Sequence, residues 1–189
     1  KEGEYVLVKL EARFEERPLP RVSIIDMREQ LKKGNRLALS LELREDLSQC
    51  LKKGEQAMLF LNRRGYAGFV SCRSCGHVMK CPHCDVSLSE HNGRKLICHY
   101  CGYETVKPDK CPVCSSPYIG GFKAGTQQIQ QVVEKEFPEA RVLRMDYDTT
   151  RAKGSYEKIL AAFSRHEADI LIGTQMIVKG HDFPDVTLV

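Results

Sequence analysis

Four Cys-x-x-Cys pairs stand within 43 residues of this 189-residue chain: Cys72/Cys75, Cys81/Cys84, Cys98/Cys101 and Cys111/Cys114. They take up eight of its nine cysteines, the right number for two tetrahedral four-cysteine sites of the kind that hold structural zinc. Disulfides compete with this reading, as do iron–sulfur and redox uses of the same pairs. However, nothing marks the chain as secreted, and the closely set cysteine run of bacterial ferredoxins is not matched. Two pairs run into Gly76 and Gly102, as expected where a tight turn needs positive φ to point amides at the sulfurs, and the other two enclose Pro82 and Pro112. If each site takes one glycine-type and one proline-type pair, joining the first pair to the third is disfavoured.

Asn92-Gly93 lies between the second and third pairs, with Val86 and Leu88 leading in and Leu96 and Ile97 leading out, which is a strong hairpin signal. With those two residues alone as the loop, cross-strand partners sum to 185 and Cys84 faces Cys101. The inner pairs then share one zinc (Cys81, Cys84, Cys98, Cys101) and the outer pairs the other (Cys72, Cys75, Cys111, Cys114). The sequential alternative joins the first two pairs across only Gly76 to Lys80, a short span for a hairpin with a knuckle at each end. All ligand positions filled by thiolates would make both sites structural, with no place for a catalytic water. His77, His83 and His99 lie beside ligands as possible substitutes, and Cys50 stands alone at an apolar helix position.

The composition, 42% hydrophobic and 29% charged, is that of a soluble globular protein, and no stretch approaches the ~18 to 20 apolar residues of a membrane span. The net charge of +4 is unevenly spread: residues 62–123 hold nine Lys/Arg against four Asp/Glu. Beginning at Lys1 and closing on the apolar run Val186 to Val189, the sequence reads as a stretch of something longer.

Along the chain, residues 5 to 10 read as a strand, a proline-bearing linker follows to Pro20, and Val22 to Ile25 reads as another short strand. Ser40 caps a helix with Leu43, Leu47, Cys50 and Leu51 on one face, ending at Gly54; Ala57 to Leu61 is a buried-type strand, and residues 62–65 form the turn at its end. After the cysteines, Thr126 caps a helix with Ile129, Val132, Val133 and Phe137, stopped by Pro138. Val142 to Met145 is a strand, Ser155 caps a helix carrying Tyr156, Ile159, Leu160 and Phe163, Asp169 to Gly173 is a strand, and Val186 begins another. Strands alternating with helices predict an α/β fold with a parallel sheet covered on both faces, interrupted by the cysteine block. In such sheets ligands bind outside the carboxyl ends of the strands, where residues 62–65, 120–126 and 173–185 fall.

The last of these loops carries a resemblance. ILIGTQMIVKGHDFPDVTLV, from Ile170 to Val189, resembles motif V of superfamily 2 helicases, and in particular the PriA family of bacterial primosomal replication-restart helicases. LFLNRRGYAGFVSCRSCG, from Leu59 to Gly76, is similar to that family's motif IV leading into its zinc-binding insertion, and GGFKAGTQQIQQVV, from Gly120, to its next segment. The resemblance implies a RecA-like helicase lobe interrupted by the insertion, with residues 1–39 as the end of the first lobe and linker, 40–71 the first part of the second lobe, 72–119 the insertion and 120–189 the remainder. It implies an ATP-dependent helicase of 3′ to 5′ polarity acting on forked and single-stranded DNA, with ATP and Mg2+ as cofactors of the whole protein beside two structural Zn2+. Implied partners are primosome proteins, the machinery that loads the replicative helicase, and single-stranded DNA-binding protein, in the cytoplasm and nucleoid, with no membrane. Gly173, Thr174, Gln175, Gly180 and Asp182 correspond to the motif V loop coupling ATP to bound strand; Arg63, Arg64 and Thr126 are the DNA-contact candidates. The insertion is expected to contact the fork and partner proteins.

The chain departs from a complete motor in lacking Gly-x-x-x-x-Gly-Lys-Ser/Thr and the acidic box that holds magnesium, so it is not expected to hydrolyse ATP by itself. The alternatives are a non-enzymatic zinc module binding nucleic acid or protein, and a chaperone-like cysteine-rich domain, although none of the pairs continues as Cys-x-x-Cys-x-Gly-x-Gly.

Overall fold

The computed structural model describes residues 19–62, 69–92, 94–121, 125–177 and 182–189. Its centre is a four-stranded, all-parallel sheet of β1 (Gln56–Phe60), β7 (Val142–Met145), β8 (Ile170–Gly173) and β9 (Val186–Leu188), in the order β7-β8-β1-β9. β1 and β8 are the inner strands, so every residue of β8 and all but Phe60 of β1 are buried. This explains why both read as unbroken apolar runs instead of alternating ones.

Alternation along these strands sends side chains to two cores. Ala57, Leu59, Ile170 and Ile172 meet Leu47 and Cys50 of helix α2 (Leu41–Lys52) and Ile129 and Val133 of α3 (Thr126–Glu136). Met58 and Leu171 face the other way, onto Met145 of β7 and onto Phe163 and Ile159 of α4 (Ser155–Ser164). The apolar positions picked out by helical spacing are thus those that bury. Gln56, fully buried, donates its Nε2 to the carbonyls of Phe163 and Ala168, both at 2.8 Å, tying the end of α4 to the start of β1.

Ser40 caps α2 through its hydroxyl, which accepts from the Leu43 amide at 3.0 Å, as the sequence indicates. The other two expected caps are corrected: Gly125 precedes α3 and Gly154, at φ 80°, precedes α4, with Thr126 and Ser155 as first helical residues. Neither cap contributes a side-chain bond. Val22 to Ile25 carries no strand assignment and makes no ladder with any other described residue, and Val22 and Ile24 are 80% and 95% exposed, so the expected buried strand is not formed there; exposed apolar side chains give a strand no face to pack. The expected strand at 5 to 10 lies outside the described residues. A short helix, α1 (Met27–Lys32), leads to a turn organised by buried Gln30, whose Oε1 accepts from the Leu41 amide and whose Nε2 donates to Glu42.

The cysteine-rich region departs from β1 and returns to α3. At its base β2 (Val70–Cys72) pairs antiparallel with β6 (Ile119–Gly121), and its outer part is a three-stranded antiparallel sheet of β3 (Ser89–His91), β4 (Lys95–Ile97) and β5 (Glu104–Val106). The hairpin is where Asn92-Gly93 places it, but the register is one residue off the expected one. Ser89 pairs with Ile97 and His91 with Lys95, so partners sum to 186 and Arg94 joins the loop. Asn92 takes φ 47°, in the left-handed region that asparagine tolerates better than most residues.

Candidate metal centre

All four Cys-x-x-Cys pairs adopt one local structure. The amides of Gly76, Asp85, Gly102 and Ser115 donate to the carbonyls of Cys72, Cys81, Cys98 and Cys111 at 2.8 to 3.0 Å. Each of those four donors has positive φ, between 55° and 80°. The amide of each first cysteine donates in turn to the carbonyl five residues on, namely His77, Val86, Tyr103 and Ser116, at 2.8 Å. Glycine at two of the four turns signals this geometry; Asp85 and Ser115 take the same conformation without it, Asp being among the non-glycine residues that tolerate it best. The glycine-type and proline-type pairs are therefore one knuckle repeated four times.

The eight sulfurs gather in two groups, Cys72/Cys75/Cys111/Cys114 and Cys81/Cys84/Cys98/Cys101, with all ligand atoms of a group within 4.8 Å of one another. This is the nested grouping about the hairpin, and each group combines two knuckles whose first cysteine is buried. Cys84 and Cys101 meet within the inner group, not as ladder partners, since the β3–β4 ladder stops at Ser89 and Ile97. Between the two knuckles of a group, sulfurs lie 3.6 Å (Cys72 to Cys114), 3.7 Å (Cys75 to Cys111) and 3.5 Å (Cys81 to Cys101) apart. A disulfide requires ~2.05 Å, whereas sulfurs at ~2.3 Å from a tetrahedral zinc lie about 3.8 Å from one another. The donor set fits zinc in spacing, number and type.

Electrostatics point the same way. At Cys72 burial pushes the thiol up, but the amides of Cys75 and Ser74 outweigh it and bring it to about 6. Donation from the Cys101 and Tyr100 amides brings Cys98 to about 7. Their companions move oppositely. Cys84 is pushed up to about 12, chiefly by Cys101 beside it. Cys114 also reaches about 12, because burial and the sulfurs of Cys75, Cys72 and Cys111 outweigh the Ser116 amide. Cys72 and Cys98 thus give up a proton more readily than a free thiol, whereas Cys84 and Cys114 hold theirs because neighbouring sulfurs oppose a further thiolate. A divalent cation at the centre removes that resistance and would hold all four as thiolates.

The histidines beside the ligands do not enter either group: among the described residues both consist of cysteine alone. His83 packs edge-on against Tyr103, and His99 meets His91.

The outer group is fastened to the sheet domain. Arg73, inside the first knuckle, donates to the carbonyls of Arg36 at 3.0 Å and Leu37 at 3.5 Å, and its amide donates to the carbonyl of Tyr118. Sequence reasoning missed this residue, since nothing in a charge count separates a clamp from a solvated cation. The basic surplus of the region is largely spoken for as well. All four of its carboxylates are paired: Asp85 with Lys80, Glu90 with Lys107, Glu104 with Lys95 and Asp109 with Arg94. What remains is Arg73, Lys110 and the cations Arg63, Arg64 and Lys123.

Those last three lie outside the described residues, as does Gly180, so the DNA-contact expectation for Arg63 and Arg64 has no geometry here. At the carboxyl edge of the sheet Thr126 meets a residue not anticipated, Asp146, which follows β7, while Gly173 ends the neighbouring β8 and Thr174 and Gln175 follow it. Thr126 donates its hydroxyl to Asp146 Oδ2, and the Thr149 amide donates to Asp146 Oδ1 at 3.0 Å. Burial works against the Asp146 carboxylate, but those bonds and Arg144 hold it below the usual range. Thr150 donates to the Asp146 carbonyl at 2.7 Å, completing a closed turn at the end of β7. The Thr126 hydroxyl hydrogen is thus committed to a carboxylate, which leaves only the hydroxyl lone pairs and the nearby amides for a ligand. Gly173 has a steric reason for being glycine: a Cβ there would lie 2.6 Å from Ile177 Cγ2 and 2.7 Å from the Met145 carbonyl. Asp182 is exposed, one residue before Phe183, whose ring packs edge-on against Phe163 at 5.1 Å.

Comparison with known proteins joins the two regions. Residues 81–105 match the family model described as the PriA DNA helicase Cys-rich region (CRR) domain. Replication restart protein PriA of Bacillus subtilis is 54% identical over 188 residues, 99% of this chain and 23% of that protein. The proteins of the same name from Synechocystis and Chlamydia pneumoniae are 50% and 40% identical, over 96% and 98% of this chain and 22% and 25% of their own lengths. The likeness runs through the parallel sheet as well as the cysteine knuckles, and on it the chain belongs to the PriA family, spanning about a quarter of the length of the relatives it matches.

Proposed function

We propose that this chain is the part of an ATP-dependent 3′ to 5′ DNA helicase, a replication restart protein, that supplies motifs IV to V and two structural zinc sites. The observation that carries the reading is the seating of two four-cysteine groups on a parallel sheet domain, in a sequence similar along nearly its whole length to proteins named for replication restart. In this reading the second helicase lobe comprises residues 40–71 and 120–189, the insertion is 72–119, and residues 1–39 end the first lobe. The cysteine groups would each hold one Zn2+, which supplies the charge that keeps four thiolates together and fixes two knuckles relative to each other.

The edge residues then have distinct tasks. Asp146 holds Thr126 and the turn after β7 in place, so that the amides at the start of α3 face the crevice where a phosphate of bound strand would lie. Gly173 lets the loop of Thr174 and Gln175 turn tightly over the end of β8, positioning it between strand and nucleotide. ATP and Mg2+ belong to the complete protein, because the phosphate loop is absent from these 189 residues. Forked DNA, primosome proteins, the helicase-loading machinery and single-stranded DNA-binding protein are the proposed partners, in the cytoplasm. Among the described residues no helix is long and apolar enough to cross a membrane.

The test is ATP hydrolysis and unwinding of a forked duplex by the full-length protein. DNA-stimulated hydrolysis and 3′ to 5′ unwinding are expected, with neither from residues 1–189 alone. A full-length protein that binds forks without hydrolysing ATP would refute the motor and favour a non-enzymatic zinc module.

A further inference from the structure

We propose that His91 and His99 form a third, exchangeable metal site on the outer face of the cysteine-rich region, taking one borderline divalent transition ion such as Zn2+, Ni2+ or Cu2+. Their Nε2 atoms lie 3.1 Å apart, with the rings 67° from coplanar and their centroids 5.0 Å apart. Two imidazole nitrogens bound at ~2.0 to 2.1 Å to one tetrahedral zinc are about 3.3 Å apart, so the pair needs to open by only a few tenths of an ångström. Imidazole is a ligand that suits all three of these ions.

The two side chains are brought together by elements that are themselves fixed. His91 ends β3, opposite Lys95 in the ladder, and His99 lies within the knuckle closed by the Gly102 amide on the Cys98 carbonyl at 2.9 Å. The chain between them turns through the hairpin loop, so the pair links the tip of the hairpin to the knuckle of the inner cysteine group. The nearest cation on the ladder does not oppose an ion there, because Lys95 is paired with Glu104 at 2.6 Å. His99 is exposed and His91 half-buried, with their contact at the surface, which leaves the remaining coordination positions to water or to an anionic oxygen from outside. Such a site differs in kind from the cysteine groups: two neutral nitrogen donors and open positions give weak, exchangeable binding, against four thiolates and closed coordination.

Without an ion the contact is a hydrogen bond in which one ring donates and the other accepts. The test must separate that bond from a metal site. Full-length protein, carrying whatever metal it retains on purification, is dialysed against micromolar free Zn2+ and bound ions are counted by mass spectrometry. Wild type should take up one ion beyond its baseline, and His91→Ala and His99→Ala should each weaken that uptake by about tenfold or more with the baseline count unchanged. With Cu2+ in place of Zn2+, electron paramagnetic resonance should show two equivalent nitrogens in wild type and one in His91→Ala. His91 stands outside the knuckles, so that variant decides the matter even if His99→Ala disturbs the inner group. No uptake beyond baseline up to about 100 μM, or uptake indifferent to both substitutions, overturns the site and leaves a hydrogen-bonded pair. The baseline count reports separately on the cysteine groups, so failure of one assignment is not failure of the other.

Discussion

The sheet domain and the cysteine-rich region bury their residues by different means. Around β1 and β8 the two faces of one sheet are filled by Leu47, Val133, Ile170 and Ile172 on one side and Met145, Phe163 and Leu171 on the other, all essentially inaccessible. Among the described residues of the cysteine-rich region the buried aliphatic ones are Val70, Leu88, Leu96 and Ile119, and the other four buried members of that core are cysteines. A domain of the first kind is held by apolar burial, whereas so few aliphatic side chains do not order some fifty residues. The second region needs its ions, and the two regions should fail independently.

The largest expected effect comes from taking the metal away. Structural zinc contributes ~10 kcal/mol or more per site, so a strong chelator should release two zinc ions per chain and unfold the cysteine-rich region while the parallel sheet persists. Hydrogen exchange would report this as loss of protection at Val70–Cys72 and Lys95–Ile97, with protection kept at Gln56–Phe60 and Ile170–Gly173. Substituting Cys84 and Cys101 together should remove one zinc and leave the other; half of each lost would contradict the nested grouping.

The converse perturbation is Phe163→Ala. Phe163 is fully buried beneath Met58, Leu171 and Phe183, and truncating it should lower the stability of the sheet domain by about 3 to 5 kcal/mol. The zinc count should not change. If it does, the regions are coupled more tightly than Arg73 on the Arg36 and Leu37 carbonyls would suggest, and the separation drawn above fails.

How much of this could be read in advance follows the same division. The helix faces, the inner strands and the parallel sheet are legible because apolar spacing reports burial directly, as at Leu43, Leu47 and Leu51. The nested grouping of cysteines is legible because Asn92-Gly93 marks the turn and the pairs lie symmetrically about it. The register is not, because whether Arg94 belongs to loop or strand depends on backbone geometry that no pattern of side chains reports. Thr126 illustrates another gap. A threonine at a helix start predicts a cap, yet its hydroxyl serves Asp146, a partner twenty residues away that only the folded sheet brings near. Arg73, likewise, is one cation among many until the fold places it on two carbonyls.

A smaller effect is expected from Gly173→Ala, which probes the sheet edge instead of its core. The added methyl meets Ile177, which can shift, and the Met145 carbonyl, which cannot shift without moving β7. A loss of about 1 to 3 kcal/mol is expected by thermal or denaturant unfolding. In the full-length protein, DNA-stimulated ATP hydrolysis should fall by more than that loss accounts for at temperatures where the variant stays folded. Equal losses of stability and activity would reduce Gly173 to a packing residue.

The smallest effect sharpens the contrast through pH. Asp169 precedes β8, and its carboxylate accepts from Arg141 Nη2 at 2.6 Å, Nε at 3.1 Å and the Arg141 amide at 2.8 Å. The Arg141 guanidinium holds this carboxyl below the usual range even though partial burial works the other way. A carboxyl whose folded pKa lies below its unfolded value of about 3.9 stabilises the fold above that value, and the contribution is lost as pH falls through the folded pKa. With Arg141 more than half exposed, solvent limits the pair to roughly 0.5 to 1 kcal/mol. Asp169→Asn should therefore cost about that much at pH 7 and progressively less as pH falls through the folded pKa, a convergence visible in paired denaturation curves. The cysteine-rich region should respond to acid earlier and more steeply, since its thiolates must be protonated as zinc leaves. A mildly acidic window is therefore expected in which zinc has been released and the sheet domain still unfolds cooperatively, with the Asp169 contribution intact. If both regions instead melt together as zinc departs, the sheet depends on the insertion for its own stability, and the two means of burial are one.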